Sequence, residues 1–265
     1  MCTNNINTIS KTELDELAKK YDTSDFIDSD PIRFPHMFKN KKDIELAGFI
    51  ASLFAYGSRK QFISKLNDFF TYTQNEPTNF IKNGDFSIIK TQNFNYRFSK
   101  PDDIVEWLRL LSELYNTSNG LSELFEYGYN VDNTLDTMYR VVADYFYSRV
   151  NNGFGQGFYH LLPDPHKGGA MKRVNMFLRW MVRKSDVDLG VWDFIPKSEL
   201  RIPLDVHVAR LSREMLLLTR KNNDMKAVVE LTNKLKEFDP SDPIKYDFAL
   251  FGKGVEESNN KVILS

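Results

Sequence analysis

The chain has 265 residues, enough for one large domain or two small ones, and its 42% hydrophobic and 27% charged residues are ordinary for a protein with a full core. Its single cysteine, Cys2, rules out a disulfide framework and any multi-thiolate zinc or iron–sulfur site. The net charge is −1, yet twelve basic and six acidic residues fall between Lys167 and Lys221, so that this stretch carries +6 and the remainder −7.

Helical periodicity dominates from the start. Residues 12–21 place Leu14, Leu17, Ala18 and Tyr21 on one stripe, and 23–42, broken by Pro31 and Pro35, read as an irregular link. Asp43 is a good N-cap for a helix with Ile44, Ala47, Ala51 and Phe54 inward, ending near Gly57. Phe62, Ile63, Leu66, Phe69 and Phe70 mark the next helix, which stops before Pro77. Residues 82–100 lack helical period, which suggests a short strand pair or an ordered loop.

Pro101 opens a strong helix with Ile104, Trp107, Leu108, Leu111 and Leu114. A shorter one follows Gly120, and 132–150 contribute Leu135, Met138, Val142, Tyr145 and Phe146. After a glycine-rich break come the apolar 158–162, a turn, and a helix from about 171 to 184. Residues 185–204 read as a loop, 205–218 and 224–238 as helices, and 244–255 as a last apolar segment before a polar tail. About ten helices without a convincing sheet predict an all-α fold. No apolar run approaches the ~20 residues that span a bilayer, and no leader-like segment opens the chain. The expected compartment is the cytoplasm, with no membrane partner.

Two places suggest chemistry. Lys172 sits in the first turn of its helix beside Arg173, where the helix dipole disfavours a cation. A lysine must be neutral to act as a nucleophile, so a placement awkward for stability suits covalent catalysis. Asp205 is placed to cap the next helix, and a carboxylate fixed there could also stabilise a developing sugar oxocarbenium or relay a proton. Each has a plainer reading, as a solvated surface lysine and as a cap alone. Before Lys172, the turn from Leu161 to Ala170 is either a simple connection or a hairpin whose amides at Gly168 and Gly169 face a phosphate. The four histidines form no i,i+4 pair, so no metal site is expected.

Lys172-Arg173-Val174-Asn175-Met176-Phe177-Leu178-Arg179 resembles the lysine-bearing helix of the helix-hairpin-helix DNA glycosylase superfamily, nearest the archaeal oxoguanine DNA glycosylase/lyases. Leu204-Asp205-Val206-His207-Val208-Ala209-Arg210 resembles the superfamily's aspartate segment, and Tyr246-Asp247-Phe248-Ala249-Leu250-Phe251-Gly252 its late helix. Upstream, 46–61 sit where that family has its first core helix and an active-site turn; the likeness covers about 44–255. The whole chain also resembles a bacterial family of similar length to which no activity is assigned. It departs from the superfamily in having Pro163-Asp164-Pro165 in place of the usual Leu-Pro-Gly-x-Gly hairpin, and in a long spacing of 33 residues from Lys172 to Asp205.

The resemblance implies a two-lobed fold with a cleft between the lobes. Residues 44–184 would form one lobe, with the hairpin and Lys172; 1–43 plus 185–255 would form the other, with Asp205; 256–265 would be a polar tail. It implies a DNA N-glycosylase with abasic-site lyase activity on a damaged base, an oxidised purine favoured, needing no cofactor. Lys172 would form the Schiff base, assisted by Asp205. DNA contacts would fall to Lys167, Gly168, Gly169, Arg173, His207, Arg210 and Arg213, and Tyr56 or Trp192 would line the base pocket. A nucleic-acid-binding protein without catalysis and a helical interaction protein remain the alternatives, and oligomeric state is not legible.

Overall fold

The computed structural model describes residues 9–263, with side chains described for 9–257. In chain order come α1 (Lys11–Tyr21), a 3₁₀ segment (Ser24–Ser29), α2 (Arg33–His36), α3 (Lys41–Phe54), α4 (Arg59–Tyr72), α5 (Pro77–Asn83) and α6 (Ser87–Thr91). Then follow α7 (Pro101–Thr117), α8 (Leu121–Asn130), α9 (Leu135–Tyr147), α10 (Gln156–Leu161), a 3₁₀ turn (Pro165–Lys167) and α11 (Lys172–Val182). The chain closes with a 3₁₀ turn (Lys197–Glu199), α12 (Val206–Glu214), α13 (Met225–Phe238), a 3₁₀ turn (Pro243–Tyr246) and α14 (Asp247–Ile263). Among the described residues there is no strand, only isolated bridges, so the fold is all-α as expected. None of the helices is long and apolar enough to cross a membrane.

α3 is the hub. Its residues from Ile44 to Phe54 are all buried, not only the expected stripe, because α2, α5, α8 and α11 pack around it. A helix walled on every side has to be apolar all round. The one acid among those residues, Glu45, is satisfied by Tyr115 Oη at 2.9 Å and Trp192 Nε1 at 3.3 Å. Asn40, rather than Asp43, caps α3 by accepting from the Lys42 amide; Asp43 instead accepts from the amide of Thr78 at 3.0 Å, fixing the start of α5. Phe49 meets Phe125, Phe146 and Phe177 around this hub, and Trp107 stacks on Phe158 at 4.9 Å.

A second group of contacts joins α1 and α12 to α14, and α13 to the Pro243–Tyr246 turn. Buried charges link the two groups. Arg179 of α11 pairs with Asp188 and Asp247, while Arg183 pairs with Asp188, Asp22 and Asp242. Removing one member of such a set typically costs about 3–5 kcal/mol, because the stranded partner stays buried.

One expectation needs correcting: residues 82–100 hold no strand pair, since α5 ends there, α6 follows, and Tyr96–Ser99 close a single tight turn. The expected polar tail, 256–265, begins within α14, whose described residues run to Ile263.

Candidate functional site

α11 and α12 point their N-termini at the same place. α11 starts after Met171, which adopts φ +50° and offers no side-chain cap, so Lys172 opens the helix over bare amides. α12 starts after Asp205, whose Oδ1 accepts from the amides of His207 and Val208, each at 2.9 Å. The other oxygen, Oδ2, lies 3.6 Å from Lys172 Nζ. The lysine side chain keeps 35% of its exposure and the aspartate 11%, so the amine is reachable while the carboxylate is largely enclosed.

Both open onto a cleft of about 810 Å³, large enough for a nucleotide or a comparable ligand. Tyr56, Phe26, Phe62, Met176 and Phe251 supply apolar walls. Two carboxylates unnoticed in the sequence also line it. Asp30, 7% exposed, accepts from the amide of Ile32 at 3.1 Å, and burial raises its pKa. Asp247 is pushed up to about 6, first by burial and then by the neighbouring carboxylates of Asp205 and Asp188, with Arg179 pulling the other way. Its Oδ1 is buried without a hydrogen-bond partner. Asp247 stands in the late-helix segment singled out above, where nothing in the sequence marked it as facing the cleft.

Other expected site residues divide sharply. Tyr56 lines the cleft, its ring 4.7 Å from that of His160 and 4.9 Å from the Arg173 guanidinium. His207 lines it too. Gly168 and Gly169 are exposed at the hairpin, where Gly168 takes φ +68° and its carbonyl accepts from the Met225 amide at 3.0 Å. The Gly168 amide is already spent on Pro165 O at 3.2 Å. Lys167 is 80% exposed, close only to Asp164 at 3.6 Å.

Trp192, by contrast, is core: it is 5% exposed, packed on Phe125, Phe177 and Phe194, with its indole N–H on Glu45. It does not line the cleft. Arg173 turns inward and donates to the carbonyls of Leu53 and His160; burial lowers its pKa to about 10. Arg210 is held by Glu214, Glu257 and the Gly254 carbonyl, and Arg213 by the carbonyls of Arg220 and Lys221 and by Asn223. These three guanidiniums brace the fold, and Arg173 also lines the cleft. Among the described residues no three His, Cys, Asp or Glu side chains gather as metal ligands.

Fold and site together define an all-helical protein whose cleft presents an accessible helix-opening lysine to a helix-capping aspartate. Residues 30–256 match the model of a family described as protein of unknown function (DUF2400), and the chain belongs to that family. Comparison with curated proteins and with solved structures gives no significant match.

Proposed function

We propose that this protein is a DNA N-glycosylase with abasic-site lyase activity, an oxidised purine being the favoured base. In this reading the α3-centred and α14-centred groups of helices are two lobes, and α10, the turn and α11 form a modified helix-hairpin-helix. The observation that carries the proposal is the 3.6 Å approach of Lys172 Nζ to Asp205 Oδ2 inside a nucleotide-sized cleft.

The chemistry follows from that pair. Asp205 takes a proton from the Lys172 ammonium, and the freed lone pair attacks C1′ of a nucleotide turned out of the duplex. The glycosidic bond breaks with its electrons leaving on the base, which receives the proton from Asp205. The new secondary ammonium returns a proton to Asp205. Nitrogen then forms a double bond to C1′, the C1′–O4′ bond breaks, and O4′ takes that proton. Loss of a proton from the C2′ of this Schiff base expels the 3′-phosphate, and water finally hydrolyses the imine to restore Lys172. No other co-reactant is required.

Backbone contacts fall to the outward lysines near the hairpin, Lys167 and Lys221, and to the exposed Gly169. Borohydride reduction during incubation with duplexes bearing an abasic site or 8-oxoguanine tests the proposal. A covalent adduct that Lys172→Ala abolishes is expected. No adduct on either duplex, or one that survives Lys172→Ala, would overturn it.

A further inference from the structure

We propose that the tight turn Tyr96–Ser99 stacks on DNA beside the cleft, with Phe98 as the platform for the base neighbouring the extruded nucleotide. This rests on the reading that DNA enters the cleft, but not on any chemistry of Lys172.

The turn is closed by two backbone hydrogen bonds of 2.9 Å between Tyr96 and Ser99, and it forces Arg97 to φ +51°, a region that disfavours a side-chain-bearing residue. It is anchored from beneath. Tyr96 is buried against Phe54 and Tyr56, and Ser99 Oγ donates to Gly157 O at 2.7 Å. Gly157 has no room for a methyl, because a Cβ there would sit 2.4 Å from the backbone oxygen of Phe98. All this bracing holds up a phenylalanine that is 48% exposed. A flexible loop would fold such a ring away from water; this one is held out.

The ring is continuous with the cleft. Phe98 lies 4.8 Å from His160, and His160 lies 4.7 Å from Tyr56, the cleft wall. The Arg97 guanidinium sits 5.8 Å from both the Phe98 and the Tyr56 ring centroids. Among the described residues it pairs with no carboxylate, so its charge is available to a phosphate. An exposed aromatic face beside an unpaired cation at the rim of a nucleotide-sized cavity fits a nucleobase and its backbone. Phe98 is outside the cavity itself, which gives it the adjacent base.

The test uses the full chain and a duplex with a tetrahydrofuran abasic analogue, which forms no Schiff base, next to a 2-aminopurine. Wild-type protein is expected to bind and to quench the 2-aminopurine. Phe98→Ala should weaken binding about tenfold or more and remove the quench, while Phe98→Trp restores both. Tyr127→Ala, which removes another exposed aromatic away from the cleft, should change neither. Wild-type-like binding and quenching by Phe98→Ala, or a Phe98→Trp variant as weak as the alanine one, overturns the proposal. Wild-type protein that binds this duplex without quenching the 2-aminopurine would sink the stacking role alone and leave the entry of DNA into the cleft standing.

Discussion

Asp205→Asn and Asp205→Ala separate two tasks that one carboxylate performs with different oxygens. Oδ1 caps α12 through two amides at 2.9 Å, and asparagine keeps an oxygen for that purpose. Oδ2 faces Lys172, and asparagine removes its charge. Loss of a cap typically costs about 1 kcal/mol, up to ~2. In a chain of this size each kcal/mol lowers the melting temperature by about 2–4 °C. Lys172 keeps a third of its exposure, so the ion pair adds little stability, between about 0 and 1 kcal/mol. Asparagine should therefore melt between about 0 and 4 °C below wild type, and alanine, which also loses the cap, about 2–4 °C below asparagine. Base release in a single turnover should fall in both variants, by about 10²–10⁴, the usual worth of a positioned acid–base group. Circular dichroism melts and quenched single-turnover assays read the two effects separately. Equal destabilisation by both substitutions would refute the division of labour, and undiminished base release by Asp205→Asn would refute the catalytic role.

Asp247 should leave a pH signature on stability. Its native pKa of about 6 lies above the ordinary 3.8, so the folded state binds the proton more tightly. Asp247 therefore penalises folding above pH 6, and the penalty shrinks as pH falls from 6 towards 3.8. Relative to wild type, Asp247→Asn should gain about 1 kcal/mol more at pH 8 than at pH 5, measured by urea unfolding; an offset independent of pH would contradict this. Arg173→Ala, losing two charged hydrogen bonds to buried carbonyls, should cost about 2 kcal/mol without altering the salt dependence of DNA binding. Lys167→Ala should do the reverse, lowering the salt slope by about one while leaving the melting temperature unchanged. Arg213→Ala should resemble Arg173→Ala, and a reduced salt slope there would return it to the DNA surface.

The helices were legible because their signals are local: Pro101, Asp205 and Asp224 start helices where capping and proline chemistry say they should. Lys172 and Asp205 were legible for the same reason, each belonging to a helix's first turn. What sequence could not show is where a guanidinium goes. The +6 stretch looks like a DNA-binding face, yet its arginines are spent on acids and carbonyls, several far away in the chain: Arg179 on Asp247, Arg183 on Asp242 and Asp22, Arg201 on Asp136, Arg210 on Glu257. The acidic remainder of the chain thus neutralises much of the stretch from within. Lysines are left outside, Lys167, Lys184, Lys197 and Lys221 among them. Trp192 misled for a related reason, since an aromatic in a loop reads as available until Glu45, buried on α3, claims its N–H.

The convergence of two helix N-termini explains why the pair is built from these residue types. Each N-terminus carries partial positive charge on its free amides. Asp205 caps one of them and faces the lysine that opens the other, so its carboxylate sits in a field that favours negative charge and needs no distant counterion. For Lys172 the same field works against the ammonium, and Met171 provides no side-chain oxygen to offset it. The lysine faces Asp205 Oδ2 at 3.6 Å, and its charge also interacts with the buried Asp30 carboxylate. A glutamate at 172 would complement the helix dipole better but would meet the Asp205 carboxylate with a like charge. Lys172→Glu therefore offers a stringent check: it should improve the α11 terminus while facing Asp205 with a like charge, for a small net change in melting temperature, and it should eliminate every borohydride-trapped adduct. An adduct that persisted would mean that the nucleophile lies elsewhere in the cleft.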